Sequence, residues 1–134
     1  MDSKLKHLEF IQNVITRMNS NSFLIKGWMI TLVSALFALA AKDANIHYVL
    51  ITYIVTPVFW FLDGFFLSQE RQYRELYNVV RQKALDTIDF SMNASIYNKG
   101  RNTWFRSIFS KTLYPFYGIT LTVSLVVMLL IGHY

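Results

Sequence analysis

The chain has 134 residues, of which 54% are hydrophobic and only 16% charged, with a formal net charge of +5. A soluble domain carries about 25% charged residues, and a disordered chain is far less apolar. With no cysteine, a disulfide scaffold and a thiolate metal site are excluded, leaving one domain that is either a membrane protein or an unusually apolar soluble bundle.

Residues 4–19, KLKHLEFIQNVITRMN, place Leu5, Leu8, Ile11, Ile15 and Met18 three or four apart. This spacing predicts an amphipathic helix with a cationic polar side. Such a helix either lies in the membrane interface or packs on another helix outside the membrane. Ser20, Asn21 and Ser22 supply capping side chains, so a turn is expected there.

Three stretches reach the roughly 20 apolar residues needed to cross a bilayer. The first is 23–41, interrupted by Lys26; the second is 44–67, interrupted late by Asp63; the third is 112–134, which is uncharged. The second and third show no polar face at helical period, as a soluble core helix would. Ala38-Leu39-Ala40 looks like a signal-peptidase site. Residues 1–22 are long for a signal n-region and include Asp2 and Glu9, and two further spans follow, so the first span is expected to be retained.

The second span is expected to continue as a charged helix over 68–98, regular to about Asp89, since SQERQYRELYNVVRQKALDTID lacks Gly and Pro. Forty-odd residues at 1.5 Å each make a rod on the order of 60 Å, with Pro57 a possible kink in its apolar part. Glu70–Arg74 and Arg71–Glu75 are stabilising i,i+4 pairs. Tyr73, Tyr77, Val80 and Ala84 form an apolar stripe suited to a partner. Residues 101–111, with Trp104, Phe105, Ile108 and Phe109 among Arg106 and Lys111, predict a short interfacial helix. The fold class expected is therefore all-α: three transmembrane helices, an N-terminal amphipathic helix and a long cytoplasmic extension of the second span.

Orientation follows from the cations. Lys4, Lys6 and Arg17 precede the first span; Arg71, Arg74, Arg81, Lys83, Lys99, Arg101, Arg106 and Lys111 lie between the second and third; none follows Thr112. The N-terminus and the middle segment should face the cytoplasm, with the Lys42–Asn45 turn and Tyr134 on the other side. Positive-inside topology and anionic lipid account for the net charge, so no nucleic acid is expected.

No metal, cofactor or catalytic constellation is expected. His7, His47 and His133 are isolated, and no phosphate loop or nucleophile motif occurs. Asn93-Ala94-Ser95 matches a glycosylation sequon but falls on the cytoplasmic side. The informative residue is Asp63, because an ionisable group inside a span has a partner or faces water. Lys26 sits at similar depth on the antiparallel first span. A Lys26–Asp63 pair either fixes the register of the hairpin or gates a polar path. Gly27, Thr31 and Ala35 recur every four residues, and Gly118 and Thr122 repeat the pattern on the third span. Small residues of this kind serve close helix packing, either within the chain or between copies. The aromatic run Phe59, Trp60, Phe61, Phe65 and Phe66 reads as packing and lipid-facing bulk.

An N-terminal helix, a hairpin with a very short outer turn and direct continuation into FLDGFFLSQERQYRELYNVVRQ resemble the small membrane effectors of bacterial conflict and antiphage systems, including two-span effectors. The resemblance covers residues 5–90 and is architectural; the third span departs from the two-span pattern. It implies an oligomeric protein of the bacterial inner membrane that disrupts or depolarises the membrane when triggered. Two other readings compete: an anchor or accessory subunit that recruits a cytoplasmic sensor or enzyme, and a small transporter or ion-translocating subunit. Toxicity on overexpression, lost on changes at Asp63 or in the Gly27 stripe, marks the effector.

Overall fold

The computed structural model describes residues 2–84 and 87–133, and these are helical without strands. Four helices follow one another: α1 (Asp2–Asp43), α2 (His47–Gln82), the short α3 (Trp104–Ile108) and α4 (Leu113–His133). Two single 3-10 turns, Ser95–Tyr97 and Gly100–Asn102, precede α3. Three of the helices, α1, α2 and α4, are long and apolar enough to cross a membrane.

The amphipathic segment and the first apolar stretch form one continuous helix, with no turn at Ser20–Ser22. Nothing between residues 2 and 26 is Gly or Pro, so no residue forces a break. Ser22 spends its hydroxyl on a long-range bond to Asp63 instead of capping its own backbone. At 1.5 Å per residue the helix is about 63 Å long. It reverses in three residues, with Ala44 at φ +50°. Asn45 Oδ1 accepts from the His47 backbone N–H at 2.9 Å, which satisfies a donor at the start of α2.

Helix α2 returns antiparallel along α1 through Pro57. It ends at Gln82, short of Asp89, and Lys83 is already extended; residues 85 and 86 of the expected helix lie outside the described residues. The Lys83 carbonyl accepts from Lys4 Nζ at 2.8 Å, so the first turn of α1 caps the last turn of α2. The chain then folds back, and Ile88 and Ala94 join Ile11, Ile15, Leu76 and Val80 in a buried core at the charged end of the hairpin. Residues 4–19 thus pack on α2, and half-buried Tyr73 and Tyr77 border the same core.

Residues 100–110 run back along α2 toward the apolar half. Gly100 takes φ +61°, a left-handed turn that favours glycine. Ser68 Oγ donates to the Asn102 carbonyl at 2.6 Å, Arg71 Nη1 donates to the Arg101 carbonyl at 2.6 Å, and the Asn102 amide donates to Glu75. Glu75 and Arg71 are spent on this loop, whereas Glu70 and Arg74 form the expected i,i+4 pair at 2.8 Å. The interfacial helix is shorter than 101–111: five residues, opened by Thr103, whose hydroxyl accepts from the Arg106 N–H. Two indoles staple it to α2, Trp104 Nε1 donating to the Phe61 carbonyl at 2.8 Å and Trp60 Nε1 to the Ile108 carbonyl at 2.7 Å. Gly64 makes the approach possible, since a Cβ there would stand 2.6 Å from Ile108 Cγ1.

Ser110 Oγ accepts from the Leu113 N–H at 3.2 Å and so starts α4, which packs chiefly on α2. A second core forms here from Met29, Val33, Leu113 and Tyr117, with Phe59, Trp60 and Phe116 around it. Outside it the surface is apolar: Trp28, Ile30, Ile54, Val58, Ile119 and Leu129 are all more than half exposed. In the most apolar windows of α1, α2 and α4 only 22%, 28% and 11% of the residues are buried. An apolar surface of that extent is of the kind that meets a membrane or another protein.

Candidate functional site: a buried ionic junction of three helices

Asp63 is fully buried where α1, α2 and α4 meet. An isolated carboxylate there would cost several kcal/mol in lost hydration. Three contacts offset that cost. Lys26 Nζ from α1 forms an ion pair with Oδ2 at 2.6 Å, and the Ser22 hydroxyl, one turn earlier on α1, donates to Oδ1. The Tyr117 hydroxyl of α4 donates to Oδ2 at 2.8 Å. Lys26 also donates to Ser22 Oγ at 2.9 Å and lies 5.9 Å from the centroid of the Phe116 ring. One carboxylate on α2 therefore binds both of the other long helices.

The sequence pairs Lys26 with Asp63, and the structure brings the two together. The sequence reads Ser22 as a helix cap and gives Tyr117 no role, yet both reach Asp63. Ser22 carries a local signal, four residues before Lys26 on the same helical face. Tyr117 carries none, because its distance from Asp63 depends on how α4 docks. Its ring is held by stacking on Trp60, with centroids 5.7 Å apart and planes 5° from parallel.

A polar seam continues from the junction between α2 and α4. Thr52, Thr56 and Asp63 share one buried face of α2. Thr52 Oγ1 donates to the Val49 carbonyl at 2.5 Å and lies 3.3 Å from Ser124 Oγ of α4. The Thr56 hydroxyl is buried without a hydrogen-bond partner among the described residues. The seam holds no second carboxylate, and among the described residues no group of three His, Asp or Glu gathers as a metal site.

The small-residue stripe is not used within the chain. Gly27, Thr31 and Ala35 are exposed, while α1 packs inward through Met29, Val33, Leu36 and Ala40. A Cβ added at Gly27 or Gly118 would meet nothing within 4 Å. The Thr31 and Thr122 hydroxyls each bond to the carbonyl one turn earlier, of Gly27 and Gly118, at 2.9 Å. Those hydroxyls are thereby satisfied without a neighbour. Packing within the chain is thus not what these residues do.

The stripe expected to take a partner is largely covered. Val80 is buried under α1, Tyr73 and Tyr77 are half-buried, and Ala84 is exposed past the end of α2. Of the aromatic run, Phe61 and Phe65 are exposed, while Phe59 and Trp60 pack in the core.

No family model matches the chain, and neither a curated protein nor a solved structure matches it.

Proposed function

We propose that the protein is a three-span protein of a bacterial inner membrane, with its N-terminus and charged loop in the cytoplasm and its C-terminus in the periplasm. In this reading it is a membrane effector of the conflict or antiphage type, which depolarises the membrane once copies assemble. The observation that carries the proposal is the buried junction at Asp63. Ionisable groups inside a span mark functional sites by default, and this one ties all three long helices at one point. The Thr52–Thr56 seam below it supplies the polar groups that would line a path if the helices part. The outward Gly27–Thr31–Ala35 face supports close contact between copies, because it is exposed and a Cβ at Gly27 meets nothing within 4 Å among the described residues. The anchor reading lacks such support, since the stripe that would recruit a partner is engaged by α1.

Inducible expression in a bacterium, with a potential-sensitive dye and the protein quantified in the membrane fraction, tests the proposal. High expression drives assembly by mass action, without the natural trigger. Growth arrest and depolarisation are expected within minutes. Gly27→Leu, at an exposed position where a Cβ meets nothing within 4 Å, is expected to abolish both at equal membrane levels. Undisturbed potential at high membrane levels of the unaltered protein overturns the effector reading.

A further inference from the structure

A cleft of ≈ 490 Å³ opens beside the junction, between α1, α2 and the loop leading to α4. Its polar wall carries Lys26, Arg71, Arg74 and Arg101 against the single acid Glu70. Two of these cations are already matched, Lys26 by Asp63 and Arg74 by Glu70. Arg71 and Arg101 have no carboxylate within ion-pair distance among the described residues. They also line an adjoining hollow of ≈ 300 Å³ with Arg74 and Glu75, whose carboxylate accepts from the Asn102 amide. Their charges oppose each other: burial, and then the neighbouring Arg101 charge, hold the Arg71 guanidinium below its usual value against the smaller opposing pull of Glu70. Arg71 stays in place because Nη1 is tied to the Arg101 carbonyl. A pair of unmatched, positioned guanidiniums is an anion site, and their planar forks suit phosphate oxygens.

The apolar part of the lining says which phosphate. It comes from Phe23, Leu67 and Leu113. Phe23 is 77% exposed and is shared with an apolar groove of ≈ 480 Å³ that continues along α1 past Leu24 and Trp28. A free phosphate has no use for that groove, whereas an acyl chain does. The geometry points to a binding site for one anionic phospholipid, with its headgroup phosphate between Arg71 and Arg101 and a tail along the Phe23–Trp28 groove. Basic pockets between membrane helices recognise anionic headgroups in this way. A tail in that groove also covers Gly27, so the lipid-bound protomer is the one not assembled through that face. The binding requires membrane embedding and is independent of whether the protein depolarises the membrane.

The test is native mass spectrometry of the full chain, purified in a non-ionic detergent, stripped of lipid and titrated. The titrants are phosphatidylglycerol, phosphatidylcholine, glycerol phosphate and inorganic phosphate. One phosphatidylglycerol per protomer is expected, bound at least about tenfold tighter than phosphatidylcholine. Arg101→Gln, on an exposed residue, and Arg71→Gln are each expected to weaken phosphatidylglycerol by about tenfold or more, the loss of one charge-assisted contact. Lys42→Gln, at the far end of α1, is expected to change nothing. Equal retention of the two lipids, or unchanged affinity in both Arg variants, overturns the site. Displacement of the lipid by either soluble phosphate at equal concentration overturns the lipid assignment and leaves a site for free anions.

Discussion

Neutralising Asp63 and Lys26 singly and together isolates the energy of the junction. Asp63→Asn removes the counter-charge from a Lys26 whose side chain is only 18% exposed, and weakens the acceptor for Ser22 and Tyr117. Removing one partner of a buried pair costs about 3–5 kcal/mol. Lys26→Met leaves Asp63 with two hydroxyl donors, and the residual exposure of Lys26 places its cost near the lower end of that range. The double variant has no unpaired charge, so its cost falls below the sum of the singles by about 1–3 kcal/mol of coupling. The assay is loss of far-UV helicity as the SDS fraction of a mixed dodecylmaltoside micelle is raised. Additivity within about 0.5 kcal/mol would refute the idea that the two charges hold each other in place.

Tyr117→Phe keeps the ring stacked on Trp60 and deletes only the hydroxyl bonded to Asp63. In the same titration it should cost about 1.5–3 kcal/mol, the worth of a hydrogen bond to a charged group, and no measurable loss would place the hydroxyl elsewhere. Gly64→Ala pushes a methyl to 2.6 Å from Ile108 Cγ1 and should destabilise by about 1–3 kcal/mol, with faster proteolysis between Gly100 and Ser110 as the local readout. Gly27→Ala meets nothing within 4 Å and should be neutral or stabilising by about 0.5–1 kcal/mol. Lys4→Met removes the donor to the Lys83 carbonyl, and hydrogen exchange should quicken in the last turn of α2 while the turns around Asp63 stay protected.

Each feature legible in the sequence rests on a local sum or a short period. Span positions follow from about 20 residues of hydropathy at a time, and the three long apolar helices appear where that sum places them. The Lys26–Asp63 pair was legible because an antiparallel hairpin with a three-residue turn fixes relative depth by counting alone. Helix ends were less legible. The Ser20–Ser22 group reads as a cap, yet the same hydroxyls serve distant partners equally well, and Ser22 does so. The end of α2 at Gln82 is met by Lys4, 79 residues away, whose ammonium donates to the Lys83 carbonyl.

The sequence alone determined that the chain is helical, that three helices are long and apolar enough to span a bilayer, and that one carboxylate lies among them. Composition and spacing carry that information residue by residue. Only the tertiary structure decided that Tyr117 closes the junction, that α1 covers the Tyr73–Val80 stripe, and that the Gly27 face is left bare. It also decided that Arg71 and Arg101 share one cleft. Those outcomes depend on which faces of separate helices meet. A single chain's periodicity shows that a face exists but not what it will touch, because the docking of α4 and of the 100–110 loop is set by contacts between residues far apart in sequence.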